Sequence, residues 1–224
     1  MSDEKILLVD LGSVVIKFDW ELLGKTLLEY YRGGRGILIP LKNGPLTAEQ
    51  FIKPLRRSRR YIDEFDLGHI APFEFYCLAT DLLKLERRDI SYKLFRRIYG
   101  EEVISLNEPM VELLKRQTNV RKIIASNIND ISWIGLNKKY GQRLGNIFED
   151  EVLSYIIHHC KPETDFFLEC ARRSGERIET LFFVDDREVN VSAFLALGGK
   201  AVQYDPNDHR NGEEKIMSML FPHR

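Results

Sequence analysis

Short apolar runs alternate with amphipathic segments along most of this chain of 224 residues. Three runs, at 5–10, 120–126 and 180–186, have the length and composition of buried strands, and two shorter strands are predicted at 200–204 and within 147–157. In the segments between these runs, apolar residues recur at helical spacing. Strands that alternate with helices predict a parallel sheet with right-handed crossovers. The fold class expected is therefore α/β, a doubly wound parallel sheet of the Rossmann-like type.

Helices in the second half of the chain are predicted at 108–117, 130–140, 162–174 and 189–197. Pro162 is expected to begin the third of them, because proline is favoured in the first turn of a helix. Gly175 is expected to end that helix, and Gly198 with Gly199 to end the fourth.

The segment after the first strand has a different pattern, with apolar residues at helical spacing and few strand-like runs up to about residue 99. Within it, Thr47 and Gln50 have the spacing of a capping box, with Thr47 as N-cap. We therefore expect a core formed by 1–17 and 104–224, and a helical domain inserted at 18–103.

Polar side chains follow the ends of the three strongest strands. Asp10 ends the first, Ser126 and Asn127 the second, and Asp185 with Asp186 the third. In open parallel sheets the carboxyl ends of the strands form the ligand-binding edge. We therefore expect these side chains in one cleft, where the carboxylates can bind Mg²⁺, a cation that prefers oxygen ligands.

This set of groups suits phosphoryl transfer. Mg²⁺ and Lys161 would offset the charge of a phosphate, Ser126 would donate a hydrogen bond to it, and Asp10 would attack phosphorus. Each signal alone has an ordinary structural explanation, since aspartates cap helices and turns and Lys-Pro often begins a helix on the surface. Their occurrence together, in this order, favours an active site.

In these residues the sequence resembles the haloacid-dehalogenase-like (HAD) superfamily of hydrolases, over nearly the whole chain. Four segments carry the resemblance: 9–14, 124–127, 161–162 and 183–191. The resemblance implies that Asp10 is the nucleophile, that Ser126, Asn127 and Lys161 bind the substrate phosphate, and that the insertion is a small helical cap. Segment 67–75 resembles the part of the cap that faces the active site, which makes His69 a candidate substrate-binding residue.

The resemblance also implies a metal site. Mg²⁺ would be bound by Asp10, by the backbone carbonyl of Gly12 and by Asp186, with Asp185 and Asn190 in support. Haloacid dehalogenases of the same superfamily need no Mg²⁺, so the pair of adjacent aspartates favours a phosphatase.

Gly12 departs from the pattern of typical phosphatases of the family, which have aspartate two residues after the nucleophile. That aspartate protonates the leaving group and then activates water, and loss of a general acid–base group costs about 10²–10⁴-fold in rate. A branch of the family, including sugar-phosphate phosphatases, has Asp-Leu-Gly here. Asp19 and His69 are candidates for the missing role, because the cap junction and cap loop should approach the cleft.

Three functions follow. The first is a Mg²⁺-dependent phosphatase, a phosphoric monoester hydrolase that acts on a small phosphorylated metabolite such as a sugar phosphate through an aspartyl-phosphate on Asp10. The second is a phosphate- or partner-binding module with little turnover, because Gly12 cannot transfer protons. The third is a 2-haloacid dehalogenase.

Composition changes this picture little. The formal net charge is −1 and the three cysteines are widely spaced, which indicates neither a nucleic-acid partner nor a disulfide framework. No signal peptide or membrane span is evident, so a cytoplasmic protein is expected. The basic run Arg56 to Arg60 is either an anion-recognising face of the cap or a solvated helix face balanced by nearby acidic residues. The sequence does not specify the oligomeric state.

Overall fold

The computed structural model describes residues 5–33 and 46–222, so the expected N-terminal residues 1–4 and part of the predicted insertion, 34–45, lie outside the described residues. The elements follow in chain order: β1 (Lys5–Val9), β2 (Ile16–Phe18), α1 (Trp20–Gly33), α2 (Ala48–Arg57), α3 (Arg59–Asp66), α4 (Pro72–Leu82), α5 (Tyr92–Arg97), β3 (Ile104–Leu106), α6 (Glu108–Arg116), β4 (Val120–Ser126), α7 (Asp130–Gly145), β5 (Asp150–Leu153), α8 (Ser154–Ile157), α9 (Thr164–Ser174), β6 (Phe182–Asp185), α10 (Glu188–Ala196), β7 (Lys200–Gln203) and α11 (His209–Leu220). A π-helical turn, Ile98–Glu102, and a 3₁₀ turn, Ile178–Thr180, complete them.

Five parallel strands form the main sheet, in the order β5-β4-β1-β6-β7, which confirms the predicted fold class. Strand β1 is central, and its Val9 is in register with Ile124 of β4 and Val184 of β6. The three strands therefore end at the same edge, and Asp10 and Asp185 lie there side by side.

Strand β1 is apolar on both faces because both faces of the sheet are covered. Leu7 and Val9 pack in the larger apolar cluster, which extends into the helical insertion. Ile6 and Leu8 pack in a second cluster on the opposite face, with the phenylalanines of α9 and α10. This burial on both sides explains why the strand shows a continuous apolar run rather than alternation.

Helices α1 to α5 lie in sequence between two short strands that the sequence pattern did not reveal. Strands β2 and β3 pair antiparallel, with Ile16 opposite Leu106 and Phe18 opposite Ile104. The pair therefore joins the segment that enters the helical insertion to the segment that leaves it. The division at 1–17, 18–103 and 104–224 stays a prediction.

Several local predictions can be compared with the structure. The capping box is present: Gln50 N donates to Thr47 Oγ1 at 3.2 Å, and Thr47 N donates to Gln50 Oε1 at 3.1 Å. The prediction that Pro162 begins a helix is wrong, because α9 begins at Thr164. Helix α7 continues to Gly145, past the predicted end at 140. Helix α11 was not predicted from the sequence at all.

Among the described residues, none of the helices combines the length and the apolar character that a membrane span requires.

The end of α3 is anchored on the core. Ser154 Oγ donates to the main-chain carbonyl of Asp66 at 2.5 Å. Two residues later Gly68 has a φ of +72°, and a Cβ atom placed on it would lie 2.3 Å from the carbonyl oxygen of Tyr155. The chain can therefore turn and approach the core here only because residue 68 has no side chain.

Gly68→Ala should accordingly destabilise the protein by more than about 1 kcal/mol, since alanine is strained at positive φ and its Cβ would collide with Tyr155. Thermal unfolding measures the effect. Gly145→Ala is the matched control, because a Cβ there meets nothing within 4 Å and the residue lies in α7. The control should unfold at the same temperature or higher. Equal melting temperatures for Gly68→Ala and the unaltered protein would contradict this account of the anchor.

Candidate active site

The end of β1 holds Asp10 in a fixed position at the sheet edge. Its main-chain N–H donates to Val184 O at 2.9 Å, and its residue is only 7% exposed. The chain then turns back sharply, since Leu11 O accepts from the N–H groups of Val15 at 2.9 Å and Ile16 at 2.8 Å. Asp10 is thus presented on a rigid backbone at the mouth of the sheet.

The ammonium group of Lys161 is the centre of the site. Lys161 Nζ donates to Asp10 Oδ1 at 2.7 Å, to Asp185 Oδ2 at 2.6 Å and to Ala125 O at 2.7 Å. The residue is 2% exposed, so the three N–H donors of a buried ammonium are all used. Groups at the ends of three strands, β1, β4 and β6, therefore bind the same ammonium group.

Asn127 fixes the main chain of Lys161. Its Oδ1 accepts from Lys161 N at 2.8 Å, and its Nδ2 donates to Lys161 O at 3.0 Å. Because the chain is tied to Asn127 at this point, it does not yet have helical hydrogen bonding, which explains the late start of α9. Asn127 lines the cleft, as expected of a substrate-binding residue, but both of its amide atoms are engaged by Lys161.

Asp185 is fully buried and its two oxygens are both occupied. Oδ1 accepts from Arg187 N at 2.8 Å, and Asn190 Nδ2 lies 3.0 Å from each oxygen. With Lys161 on Oδ2, this carboxylate binds the lysine and the loop that leads into α10. Asp186, the next residue, is only partly buried and borders the cleft.

Three carboxylates crowd this edge. One oxygen from each of Asp10, Asp185 and Asp186 lies within 4.8 Å of the others. Burial raises the pKa of Asp10, Lys161 opposes that rise, and Asp185 adds to it. Burial alone would lower the pKa of Lys161, but the carboxylates of Asp10 and Asp185 hold it above its usual range. The ammonium group of Lys161 offsets the charge of these three carboxylates only in part. The set of oxygen donors therefore fits a hard divalent cation.

Ser126 ends β4 beside these groups. It is 1% exposed, and its hydroxyl makes no hydrogen bond to any described residue. Buried hydroxyl groups in proteins nearly always have a partner, so an unpaired one here indicates a group that a ligand would satisfy.

A cavity of about 390 Å³ opens above the sheet edge. Of the residues predicted for the site, six line it: Asp10, Gly12, Asn127, Lys161, Asp186 and Asn190. Ser126 and Asp185 are buried next to these residues. The structure thus brings the predicted residues of the core together in one place.

Two residues predicted from the cap and its junction lie elsewhere. His69 is exposed, with Nδ1 2.9 Å from Glu64 Oε2 and its ring stacked on His158, and it does not line the cavity. Asp19 Oδ1 accepts from Leu22 N at 2.8 Å and caps α1, and it does not line the cavity either. Neither residue is therefore placed to supply the proton transfer that Gly12 cannot.

Sequence reasoning missed a face of α3 that lines the cavity. Arg59, Asp63 and Asp66 of α3 line it, at positions i, i+4 and i+7, which share one helix face. That spacing was the signal that could have identified them. All four arginines of the basic run are exposed, and among them only Arg59 lines this cavity.

Comparisons with known proteins agree with this architecture. No protein-family model matches the sequence, and no curated protein matches it. Among solved structures, a HAD family enzyme of Bacteroides thetaiotaomicron is 23% identical with a TM-score of 0.71, over 97% of this chain and 98% of that one. The same enzyme has been crystallised with magnesium and inorganic phosphate, a structure that gives 23% identity and a TM-score of 0.67 over 90% of this chain and 94% of that one.

A HAD-like family hydrolase described as predicted, from Porphyromonas gingivalis, is 18% identical with a TM-score of 0.64, over 98% of this chain and 99% of that one. The L-2-haloacid dehalogenase of Xanthobacter autotrophicus, with chloropropionic acid covalently bound, is 14% identical with a TM-score of 0.59, over 89% and 76%. The chain therefore has the HAD fold, as the resemblance of its motifs implied.

The network around Lys161 predicts a large difference between two lysine substitutions. Lys161→Met leaves two buried carboxylates without their cation and should lower the free energy of unfolding by about 3–5 kcal/mol. Lys138→Met removes an exposed ion pair of similar length, 2.8 Å to Glu101, and should cost less than about 1 kcal/mol. Urea unfolding monitored by circular dichroism measures both, and comparable losses for the two variants would refute the central role of Lys161.

Proposed function

We propose that this chain, which has the fold of the HAD family enzymes, is a Mg²⁺-dependent phosphatase that acts on a small phosphorylated metabolite such as a sugar phosphate. The observation that carries the proposal is the buried ion pair of Asp10 and Lys161 at the sheet edge, 2.7 Å apart, beside a second and a third carboxylate. It combines a fixed anionic nucleophile with a fixed cation, which phosphoryl transfer requires and few structural roles do.

The phosphate would lie between Lys161 and Ser126. The ammonium offsets the negative charge of the phosphate, and the unpaired hydroxyl of Ser126 supplies a hydrogen-bond donor. Asn127 contributes by holding the main chain of Lys161, so in this proposal its part in substrate binding is indirect.

The residues that would hold Mg²⁺ are Asp10, Asp186 and the backbone carbonyl of Gly12. When bound, the ion offsets the charge of the phosphate and orients it toward the nucleophile. Asp185 stands apart from this set, because its oxygens already accept hydrogen bonds from Lys161, Asn190 and the main chain. We assign Asp185 the role of positioning Lys161. The Bacteroides enzyme, which binds magnesium and phosphate together, supports the pairing of these two ligands.

In the reaction, an oxygen of Asp10 forms a bond to phosphorus as the bond from phosphorus to the leaving oxygen breaks. Water then attacks the aspartyl-phosphate and releases inorganic phosphate, which restores the carboxylate. Lys161 holds Asp10 in place through Oδ1 in both steps, so no reorganisation is needed between them.

A second function is favoured by one feature, the absence of a side chain at Gly12. A chain that binds phosphate but lacks an acid–base group in reach would be a phosphate- or partner-binding module with little turnover. A variant of the Bacteroides enzyme in which alanine replaces one aspartate has also been crystallised with magnesium and inorganic phosphate. The loss of one aspartate from that enzyme is therefore compatible with the binding of both ligands.

Dehalogenase activity is a weaker alternative, although dehalogenases share the fold. A 2-haloacid is itself a carboxylate, and it would have to approach three carboxylates that share a single ammonium group. Such a site repels the substrate unless a cation is bound.

Asp10→Asn should abolish phosphatase activity, because the amide is neither a nucleophile nor an anion. The measurement is phosphate release from a panel of phosphorylated metabolites, with Mg²⁺ and with a chelator. Asp208→Asn is the control, since this residue only caps α11 and asparagine caps equally well. Activity that persists in Asp10→Asn would disprove the nucleophile assignment. Chloride release from 2-chloropropionate in chelator would instead favour the dehalogenase.

Gly12→Asp separates the phosphatase from the binding module. A Cβ at residue 12 would lie 3.7 Å from Asp10 Oδ2, an ordinary contact, so the site can accept the substitution. We expect the unaltered chain to turn over phosphate esters already, and Gly12→Asp to change the rate only modestly. Turnover seen only after the substitution would contradict this and identify the natural chain as a binding module.

A further inference from the structure

The side of the cavity that faces Asp10 is where a proton donor is needed. In phosphoryl transfer the attacking and leaving oxygens are roughly in line through phosphorus. With Asp10 attacking from the sheet edge, the leaving oxygen lies on the side of the cap. Three charged residues of α3 line that side, Arg59, Asp63 and Asp66.

Asp66 is the one whose carboxyl group is held in place. Its Oδ1 accepts a hydrogen bond from Asn129 Nδ2 at 2.8 Å. Asn129 is oriented in turn by Ser132, whose N–H donates to Asn129 Oδ1 at 2.9 Å. The main-chain carbonyl of Asp66 is also bound by Ser154. Because Asn129 Nδ2 is a donor, Asp66 Oδ1 accepts this hydrogen bond, and the proton of the neutral carboxyl group lies on Oδ2.

Burial, more than any neighbouring charge, favours the protonated form of Asp66 up to near-neutral pH. Burial raises its pKa to about 7, and the neighbouring Asp63 adds to the rise, while the hydrogen bond from Asn129 and the charge of Arg59 oppose it. Asp66 also ends α3, where the negative end of the helix dipole disfavours a carboxylate. A general acid is most effective when its pKa is near the working pH.

The titratable groups near Asp66 on other elements do not compete with it for the proton. Burial raises the pKa of Tyr99, in the π-helical turn, far above neutral. Burial, with the adjacent Glu163, likewise raises the pKa of the Cys160 thiol to about 11. Asp63 is exposed, and no hydrogen bond within the described part of the chain fixes its side chain.

We infer that Asp66 is the catalytic acid and base of this site, supplied by the cap in place of the side chain that Gly12 lacks. The inference rests on the proposed phosphatase function. In the first step Asp66 gives its proton to the leaving oxygen as the bond from that oxygen to phosphorus breaks and Asp10 becomes phosphorylated. In the second step the Asp66 carboxylate takes a proton from the attacking water, the bond from phosphorus to Asp10 breaks, and Asp66 is protonated again.

Two aryl phosphates of similar shape test the inference. Phenolate is a poor leaving group and needs the proton, whereas p-nitrophenolate leaves without it. For Asp66→Asn we expect kcat/KM for phenyl phosphate to fall about 10²–10⁴-fold, with kcat/KM for p-nitrophenyl phosphate falling by much less. Because the base is also missing, p-nitrophenol should appear in a burst followed by slow turnover.

Asp63→Asn is the matched control, because it removes the same charge from the same helix face. It should alter kcat/KM for the two esters by the same factor. The pH profile gives an independent readout: kcat/KM of the unaltered chain for phenyl phosphate should fall above about pH 7, where Asp66 loses its proton, and Asp66→Asn should lack this limb. Asp66→Glu keeps a carboxyl group at this position. It should therefore keep the ratio of kcat/KM for the two esters and the fall in kcat/KM for phenyl phosphate at high pH.

The double variant Asp66→Asn with Gly12→Asp should recover activity on phenyl phosphate, since an acid is restored on the other side of the leaving group. Equal losses on both esters, no burst, and no recovery in the double variant would overturn the inference and assign Asp66 a structural role. Unchanged kinetics of Asp66→Asn would overturn it as well. In either case activity that still depends on Asp10 leaves the phosphatase proposal standing, whereas a chain inactive on both esters and on the whole metabolite panel contradicts both.

Discussion

The burial of one ammonium group, that of Lys161, is the constraint on which the rest of the site depends. A lysine this deeply buried is costly unless its charge is matched, and here Asp10 and Asp185 match it at 2.7 and 2.6 Å. Those two carboxylates follow neighbouring strands of the sheet, and the third donor of the ammonium is bound by Ala125 of the next. The same bonds that stabilise this edge of the sheet therefore orient the proposed nucleophile, so stability and reactivity have a common physical origin.

Support for this arrangement comes from both sides of the cleft. Beneath it, the continuous apolar strands fix the register in which Val9 aligns with Ile124 and Val184. Above it, α3 is anchored to the core through Ser154 and through the close approach at Gly68. The cavity is thus bounded by the sheet edge and by a helix that is hydrogen-bonded to the core, an arrangement that favours the preorganisation that electrostatic catalysis requires.

The sequence predicted those parts of the molecule that depend on local pattern. Apolar runs that end in Asp10, Ser126 and Asp185 were sufficient to predict a parallel sheet and to group these residues at one edge. The finer role of Asp185 could not be predicted in this way, because it depends on a hydrogen bond from Lys161, which lies 24 residues away in the sequence. His69 was placed by its position in a motif, yet its ring is turned toward Glu64 and solvent.

The role of Asp66 could not be predicted from the sequence, for a related reason. In the sequence it looks like one more acidic residue that balances a basic run, and only the folded structure places it in the cavity that Asp10 also lines. The central claim remains that Asp10 carries the phosphoryl group, and a rapid acid quench of a single turnover with p-nitrophenyl phosphate, followed by peptide mass spectrometry, tests it most directly. The account predicts one phosphoryl group on the peptide that contains Asp10. Product formation with that peptide unmodified, or with the group on another residue, would contradict it.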